Sequence, residues 1–119
     1  PPIFTRILAE RLDSTTAFCV TEGKPGMELN PGTIYLAPGD HHMTLDRGHD
    51  NVVRIKLNQG PPENSCRPAV DVLFRSIADI YHDKIVAVIL TGMGKDGLKG
   101  CEKIKIPIRY RVFFIYCPY

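Results

Sequence analysis

Ile85-Val86-Ala87-Val88-Ile89-Leu90-Thr91-Gly92-Met93-Gly94-Lys95-Asp96-Gly97 is the stretch on which the fold turns. Its first six residues form an unbroken apolar run rich in β-branched side chains, the pattern of a parallel strand covered on both faces. The glycines then break the chain, and Gly97 to about Lys105 reads as a helix that packs Leu98, Cys101 and Ile104. Strand, glycine-rich loop and helix in that order are the grammar of an open α/β sheet. In such sheets chemistry collects beyond the carboxyl ends of the parallel strands, so function is expected at Thr91–Gly97.

Working back from this stretch, Pro68 at a first helical position opens the strongest helix pattern in the chain. Val70, Leu73, Phe74, Ile77, Ala78 and Tyr81 follow the spacing of an amphipathic stripe. Ahead of the Gly60-Pro61-Pro62 loop, Thr33–Ala37, His42–Arg47 and Val52–Asn58 alternate as strands do, with Ile34/Leu36, Met43/Leu45 and Val53/Ile55/Leu57 on one face. Pro38-Gly39-Asp40 and Gly48-His49-Asp50-Asn51 join them, which predicts a three-stranded antiparallel meander with one wet face. Ala17–Glu22 reads as a further short strand between turns. Thr5–Asp13 is predicted as a helix capped by Thr5, with Phe4, Ile7, Leu8 and Leu12 on its apolar side. No internal repeat or low-complexity segment is visible.

At 119 residues the chain has room for one core, and its 44% hydrophobic and 24% charged residues are ordinary for a soluble globular protein. No apolar run approaches the roughly 20 residues of a membrane helix, and no signal peptide follows Pro1-Pro2, so membrane insertion is not expected and the cytoplasm is the expected compartment. The net charge of +2 comes from the end of the chain: Lys103, Lys105, Arg109 and Arg111 face Glu102 alone after residue 100. The body before it is close to neutral, which argues against nucleic acid as a partner. Cys19, Cys66, Cys101 and Cys117 show no C-x-x-C spacing, and buried or half-buried thiols are expected. His41 and His42 are adjacent on a strand and so point to opposite faces, with no third metal ligand at useful spacing; turn histidines facing water are expected.

Gly92, Gly94 and Gly97 formally match G-x-G-x-x-G between a strand and a helix. Asp96 would put a carboxylate where a pyrophosphate should lie, and no Asp or Glu follows about twenty residues on to hold a ribose. Lys95 is followed by Asp96, not Ser or Thr, so the Walker pattern fails as well. Residue types alone leave three readings open: a glycine turn that packs helix on strand, a catalytic Asp, and an anion site.

The string Val88–Gly97 resembles the segment of CheB-type protein-glutamate methylesterases that carries the Asp of a Ser-His-Asp triad. Three further stretches agree in the same order. They are Pro1-Pro2-Ile3-Phe4-Thr5 with Ala9-Glu10-Arg11-Leu12, then Ile34 through His42, then Gly60-Pro61-Pro62-Glu63-Asn64 with Arg67 through Ser76. The resemblance covers residues 1 to about 105. It implies an α/β fold, part of a doubly wound, mainly parallel sheet with an antiparallel hairpin or meander insertion. It also implies hydrolysis of glutamate methyl esters on methyl-accepting chemoreceptors, with glutamine deamidation in many members and no cofactor or metal. Asp96 takes the role of the triad acid, orienting a His and stabilising its imidazolium. Met93 falls in the loop whose backbone lies near the oxyanion, so its N–H is the candidate donor there.

In the family the nucleophilic Ser and the triad His precede the position of Pro1. None of His41, His42, His49 and His82 matches that His, and Ser14, Ser65 and Ser76 sit in no Gly-x-Ser-x-Gly turn. The 119 residues are therefore expected to be inactive alone. Residues 106–119, basic and aromatic, depart from the family; a shifted reading frame in an A+T-rich gene would yield such a tail, and a strand-forming tail is the alternative. Two other functions stay open at this point: a non-catalytic binding module that docks an anion or receptor segment, and a nucleotide-binding α/β protein.

Overall fold

The structure, a computed structural model, describes residues 1–82, 84–90 and 94–104. Its elements run α1 (Pro2–Thr15), β1 (Cys19–Glu22), β2 (Thr33–Leu36), β3 (His42–Arg47), β4 (Val53–Asn58), α2 (Val70–Tyr81) and α3 (Leu98–Lys103). Residues 106–119, with the tail readings, lie outside the described residues.

Helix α1 starts earlier than Thr5. Pro1 and Pro2 occupy its cap and first position, where a missing N–H costs nothing and the ring presets φ. Thr5 lies inside the helix, and its hydroxyl bonds the Glu22 carboxylate at 2.6 Å and accepts the Gly39 N–H at 2.9 Å. Of the apolar residues expected to pack, Phe4, Ile7 and Leu8 are exposed, as is Ile3 beside them, and Ala9 is the buried residue of the helix.

The predicted meander is a hairpin. β3 and β4 pair antiparallel from His42↔Asn58 to Arg47↔Val53, but β2 pairs parallel with β1, from Cys19↔Thr33 to Glu22↔Leu36. The Pro38–Asp40 link does not fold β3 back on β2. Gly39 is pressed against the start of α1, where a Cβ would come within 2.9 Å of the Pro1 and Pro2 backbone, and the Asp40 carboxylate is taken by Arg67. In place of β2, residues 26–29 flank β4 through Gly26 N–H to Ile55 O (2.8 Å), Ile55 N–H to Met27 O (2.9 Å) and Leu29 N–H to Val53 O (3.2 Å).

The inner face of the hairpin is the predicted one. Met43 and Ile55 are 4% and 0% exposed, and burying a side chain the size of Ile55 contributes about 2 kcal/mol. Helix α2 packs on β3, where the Ser76 hydroxyl accepts the Leu45 N–H at 3.0 Å and donates to Leu73 O at 2.7 Å. Ser76 thereby closes a backbone donor of β3 and joins it to α2.

The run Ile85–Leu90 makes no strand pairing among the described residues. Ile85 and Ala87 pack with Phe74 and Ala78 of α2 and with Cys101 and Ile104. Val86, Val88 and Leu90 are 84%, 51% and 49% exposed. Burial on both faces, predicted from the run, holds on one only, because α2 and α3 cover that side and no described element covers the other. Leu98 is likewise exposed, while Cys101 and Ile104 are turned inward as expected. Gly100 lets α3 approach α2: a Cβ there would meet Phe74 Cβ at 2.5 Å.

Candidate active site

The site is built at the start of α2. The helix begins at Val70 with Ala69 as its cap, so Pro68 lies ahead of the first turn and Ala69 brings no side-chain hydrogen bond. The first N–H groups of a helix need partners from elsewhere. Asp96 supplies them from the loop before α3: Oδ2 accepts the Val70 N–H at 2.7 Å and Oδ1 the Asp71 N–H at 3.0 Å. The helix N-terminus carries partial positive charge, which favours a carboxylate there. The Ala69 N–H donates to His42 Nδ1 at 3.2 Å, and the other ring nitrogen of His42 lies 3.0 Å from Pro61 O. His42 therefore carries its proton on Nε2, and at 2% exposure it is a buried clamp and not the water-facing turn histidine expected of it. His41 fits the turn reading, its Nδ1 lying 3.2 Å from Gly39 O.

Asn64 completes the surround. Glu63 and Cys66 exchange backbone hydrogen bonds at 3.0 and 2.9 Å, closing a two-residue turn in which Asn64 (φ 52°) and Ser65 (φ 64°) both have positive φ. That is the signature of a type I′ turn, and Asn is among the few side-chain-bearing residues that tolerate it. From there Asn64 Nδ2 donates to Asp71 Oδ2 at 2.9 Å and to Asp96 Oδ1 at 3.2 Å. Asp71 is fully buried, and its Oδ1 accepts the Gly100 N–H at 2.7 Å, tying α3 to α2. Beside the turn, Glu63 and Arg75 form a two-pronged ion pair at 2.6 and 2.5 Å. The Arg75 hydrogen bonds hold the Glu63 carboxyl below its ordinary range against the opposing effect of burial. The same pairing raises Arg75, with smaller contributions from the charges of Asp71 and Asp96.

Among the described residues three hydrogen bonds reach Asp96, which is 9% exposed, two at Oδ1 and one at Oδ2. A carboxylate offers about four lone-pair directions, so the described donors leave Oδ2 the capacity for one more. Such a group is suited to orient an imidazole and to balance its charge. Met93, the predicted backbone donor, lies outside the described residues. Among the described glycines of the loop, Gly94 (φ 116°) and Gly97 (φ 95°) have positive φ, and Gly97 caps α3. Asp96 turns away from α3 to the start of α2, a glycine turn serving a carboxylate.

Asn64, Asp71 and His42 were not singled out from sequence as site residues. An Asp in the apolar stripe of a first helical turn and an Asn ahead of it were the available signals. Both are ordinary enough in turns and caps to pass as such. Among the described residues no group of three His, Cys, Asp or Glu side chains could hold a metal ion, and no helix is long and apolar enough to cross a membrane. Cys19 is exposed, against expectation; Cys101 is half-buried, and burial followed by the Asp71 charge pushes its thiol up.

A family model described as CheB methylesterase matches residues 1–107. Among similar proteins, one from Trichodesmium erythraeum is 51% identical over 105 residues, covering 88% of this chain and 30% of its own length. One from Thermotoga maritima is 49% identical over 105 residues, with the same 88% and 30% coverage. Both are named protein-glutamate methylesterase/protein-glutamine glutaminase. The crystal structure of the Thermotoga maritima CheB methylesterase catalytic domain superposes with a TM-score of 0.83 at 48% identity, over 87% of this chain and 55% of that one. The chain spans about a third of the length of these curated relatives and about half of the solved domain. The fold is α/β, that of the solved domain, and the chain belongs to the CheB methylesterase family.

Proposed function

We propose that residues 1–105 are the acid-bearing portion of a chemotaxis methylesterase, which hydrolyses glutamate methyl esters of methyl-accepting chemoreceptors in the cytoplasm, with glutamine deamidation as its second reaction. Residues 106–119, whose sequence departs from the family, are assigned no part in it. The observation that carries the reading is the fixed, nearly buried Asp96 carboxylate with acceptor capacity left on Oδ2. The names borne by the relatives support the choice of ester.

In this reading Asp96 Oδ2 accepts the Nδ1–H of a histidine. The histidine takes the proton of a serine hydroxyl as the oxygen attacks the ester carbonyl. It returns that proton to the departing methoxide, so that methanol leaves. Water then repeats the sequence and frees the glutamate. The Met93 N–H is the proposed donor to the oxyanion. The Ser and His match no residue of this chain, so the 119 residues alone should release no methanol from methylated receptor above buffer. Methanol release by the chain alone that Asp96→Asn abolishes would overturn the assignment of an outside Ser and His.

A further inference from the structure

Asp71 is a completely buried carboxylate that the proposed reaction does not use. Burying a charge is costly unless every lone pair is answered. Among the described residues the answer comes from two places: the Gly100 N–H on α3 and one hydrogen of the Asn64 amide. The second hydrogen of the same amide goes to Asp96 Oδ1. One NH2 group therefore stands between two carboxylates, and the Glu63–Cys66 turn fixes the backbone that carries it. The residue at this turn position needs a positive φ and two side-chain donors at once. Gly meets the first requirement alone, Asp lacks the donors, and Asn meets both.

Resting on the reading of Asp96 as the triad acid, we propose that Asn64 is a positioning residue of this site. Anchored by Asp71, its amide holds Asp96 Oδ1 and so aims Oδ2 at the histidine Nδ1–H. Among the described donors, two acceptor directions of Asp96 are spent on α2 backbone and one on Asn64; without Asn64 the two helix N–H groups alone hold the carboxylate, which loses one restraint on turning about its Cβ–Cγ bond. Misplacing a catalytic group by about 1 Å lowers rates on the order of 100-fold.

The test has two arms. In a chimera that joins the chain to a family-type segment carrying the Ser and His, the Val70 and Asp71 amide resonances report the seat of the Asp96 carboxylate, since both N–H groups bond to it. Asn64→Gly, which keeps the positive φ and removes the amide, should move both resonances and speed their hydrogen exchange. In the same chimera, Asn64→Gly should lower kcat about 10- to 100-fold with KM within about twofold. In an Asp96→Asn background it should add nothing further. Unmoved amides, or an Asn64→Gly chimera as fast as wild type while Asp96→Asn is slow, would overturn the positioning role and leave the proposed function standing. If Asp96→Asn itself leaves the rate unchanged, the proposed function falls and takes this inference with it. An Asn64→Gly loss that adds in full to that of Asp96→Asn would also overturn it, because Asn64 would then act by another route.

Discussion

Replacing Asp96 by Ala should weaken the fold as well as the proposed chemistry, since the carboxylate is the cap of a helix on another part of the chain. The substitution removes the acceptor of the Val70 and Asp71 N–H groups and of one Asn64 amide hydrogen. Loss of a cap costs about 1 kcal/mol and up to about 2. A buried donor left without a partner adds about 1–3 kcal/mol, less where water can enter. At 9% exposure the edge of the site admits water and Asn64 keeps its bond to Asp71, so the low end of that range applies. The sum is about 2–3 kcal/mol. Urea unfolding followed by far-ultraviolet circular dichroism, with a slope of about 1–3 kcal/mol per molar, should show the midpoint falling by roughly 0.7–3 M at unchanged slope. A change below about 0.5 kcal/mol would refute the claim that Asp96 seats α2. Asp96→Asn keeps one acceptor oxygen, so it should cost less, and rate comparisons between variants belong at matched folded concentration.

Three further outcomes are expected. The Glu63 carboxyl is held below its ordinary 4.5 by Arg75, so its contribution is full above 4.5 and is lost as pH falls through the lower folded value; Glu63→Gln should flatten acid unfolding in that window, and unaltered pH dependence would count against the pair. Ser65 has φ 64° at the second position of the Asn64-Ser65 turn, so Ser65→Gly should stabilise the chain by about 1 kcal/mol in urea, and destabilisation would count against the type I′ geometry. Ile3, Phe4, Ile7 and Leu8 on α1 and Val86, Val88 and Leu90 on the run Ile85–Leu90 leave large apolar surface exposed, so the 119-residue chain should bind an apolar dye and associate at micromolar concentration; a dye-silent monomer by sedimentation would contradict that.

Much of the fold was legible because it rests on local periodicity. The alternation in His42–Arg47 and Val53–Asn58 and the stripe of Val70–Tyr81 set those elements within a residue or two. Pairing was less legible, since it depends on contacts remote in sequence. The turn residues around Gly39 suit a hairpin as well as a link, and the contacts that go with the pairing of β2 to β1, Pro1 and Pro2 against Gly39 and Arg67 on Asp40, are remote in sequence. The run Ile85–Leu90 reads as doubly buried because apolar side chains report what they can bury, not which neighbours are at hand. At the site, Asp96 stood out through its place in a glycine loop after an apolar run and through the family resemblance. Asn64, Asp71 and His42 did not, because their roles arise from the convergence of a turn, a helix start and a strand that lie far apart along the chain.

The most direct measurement is methanol release from methylated chemoreceptor by a chimera in which this chain follows a family-type amino-terminal segment with its Ser and His, and a family-type carboxyl end replaces residues 106–119. The account predicts receptor methylesterase activity that Asp96→Asn lowers by up to about 10⁴ at matched folded concentration, while Met93→Ala costs far less because a backbone donor survives the loss of its side chain. Equal rates for the wild-type and Asp96→Asn chimeras would mean that Asp96 serves only to cap α2, and would contradict the assignment of a catalytic acid to this site.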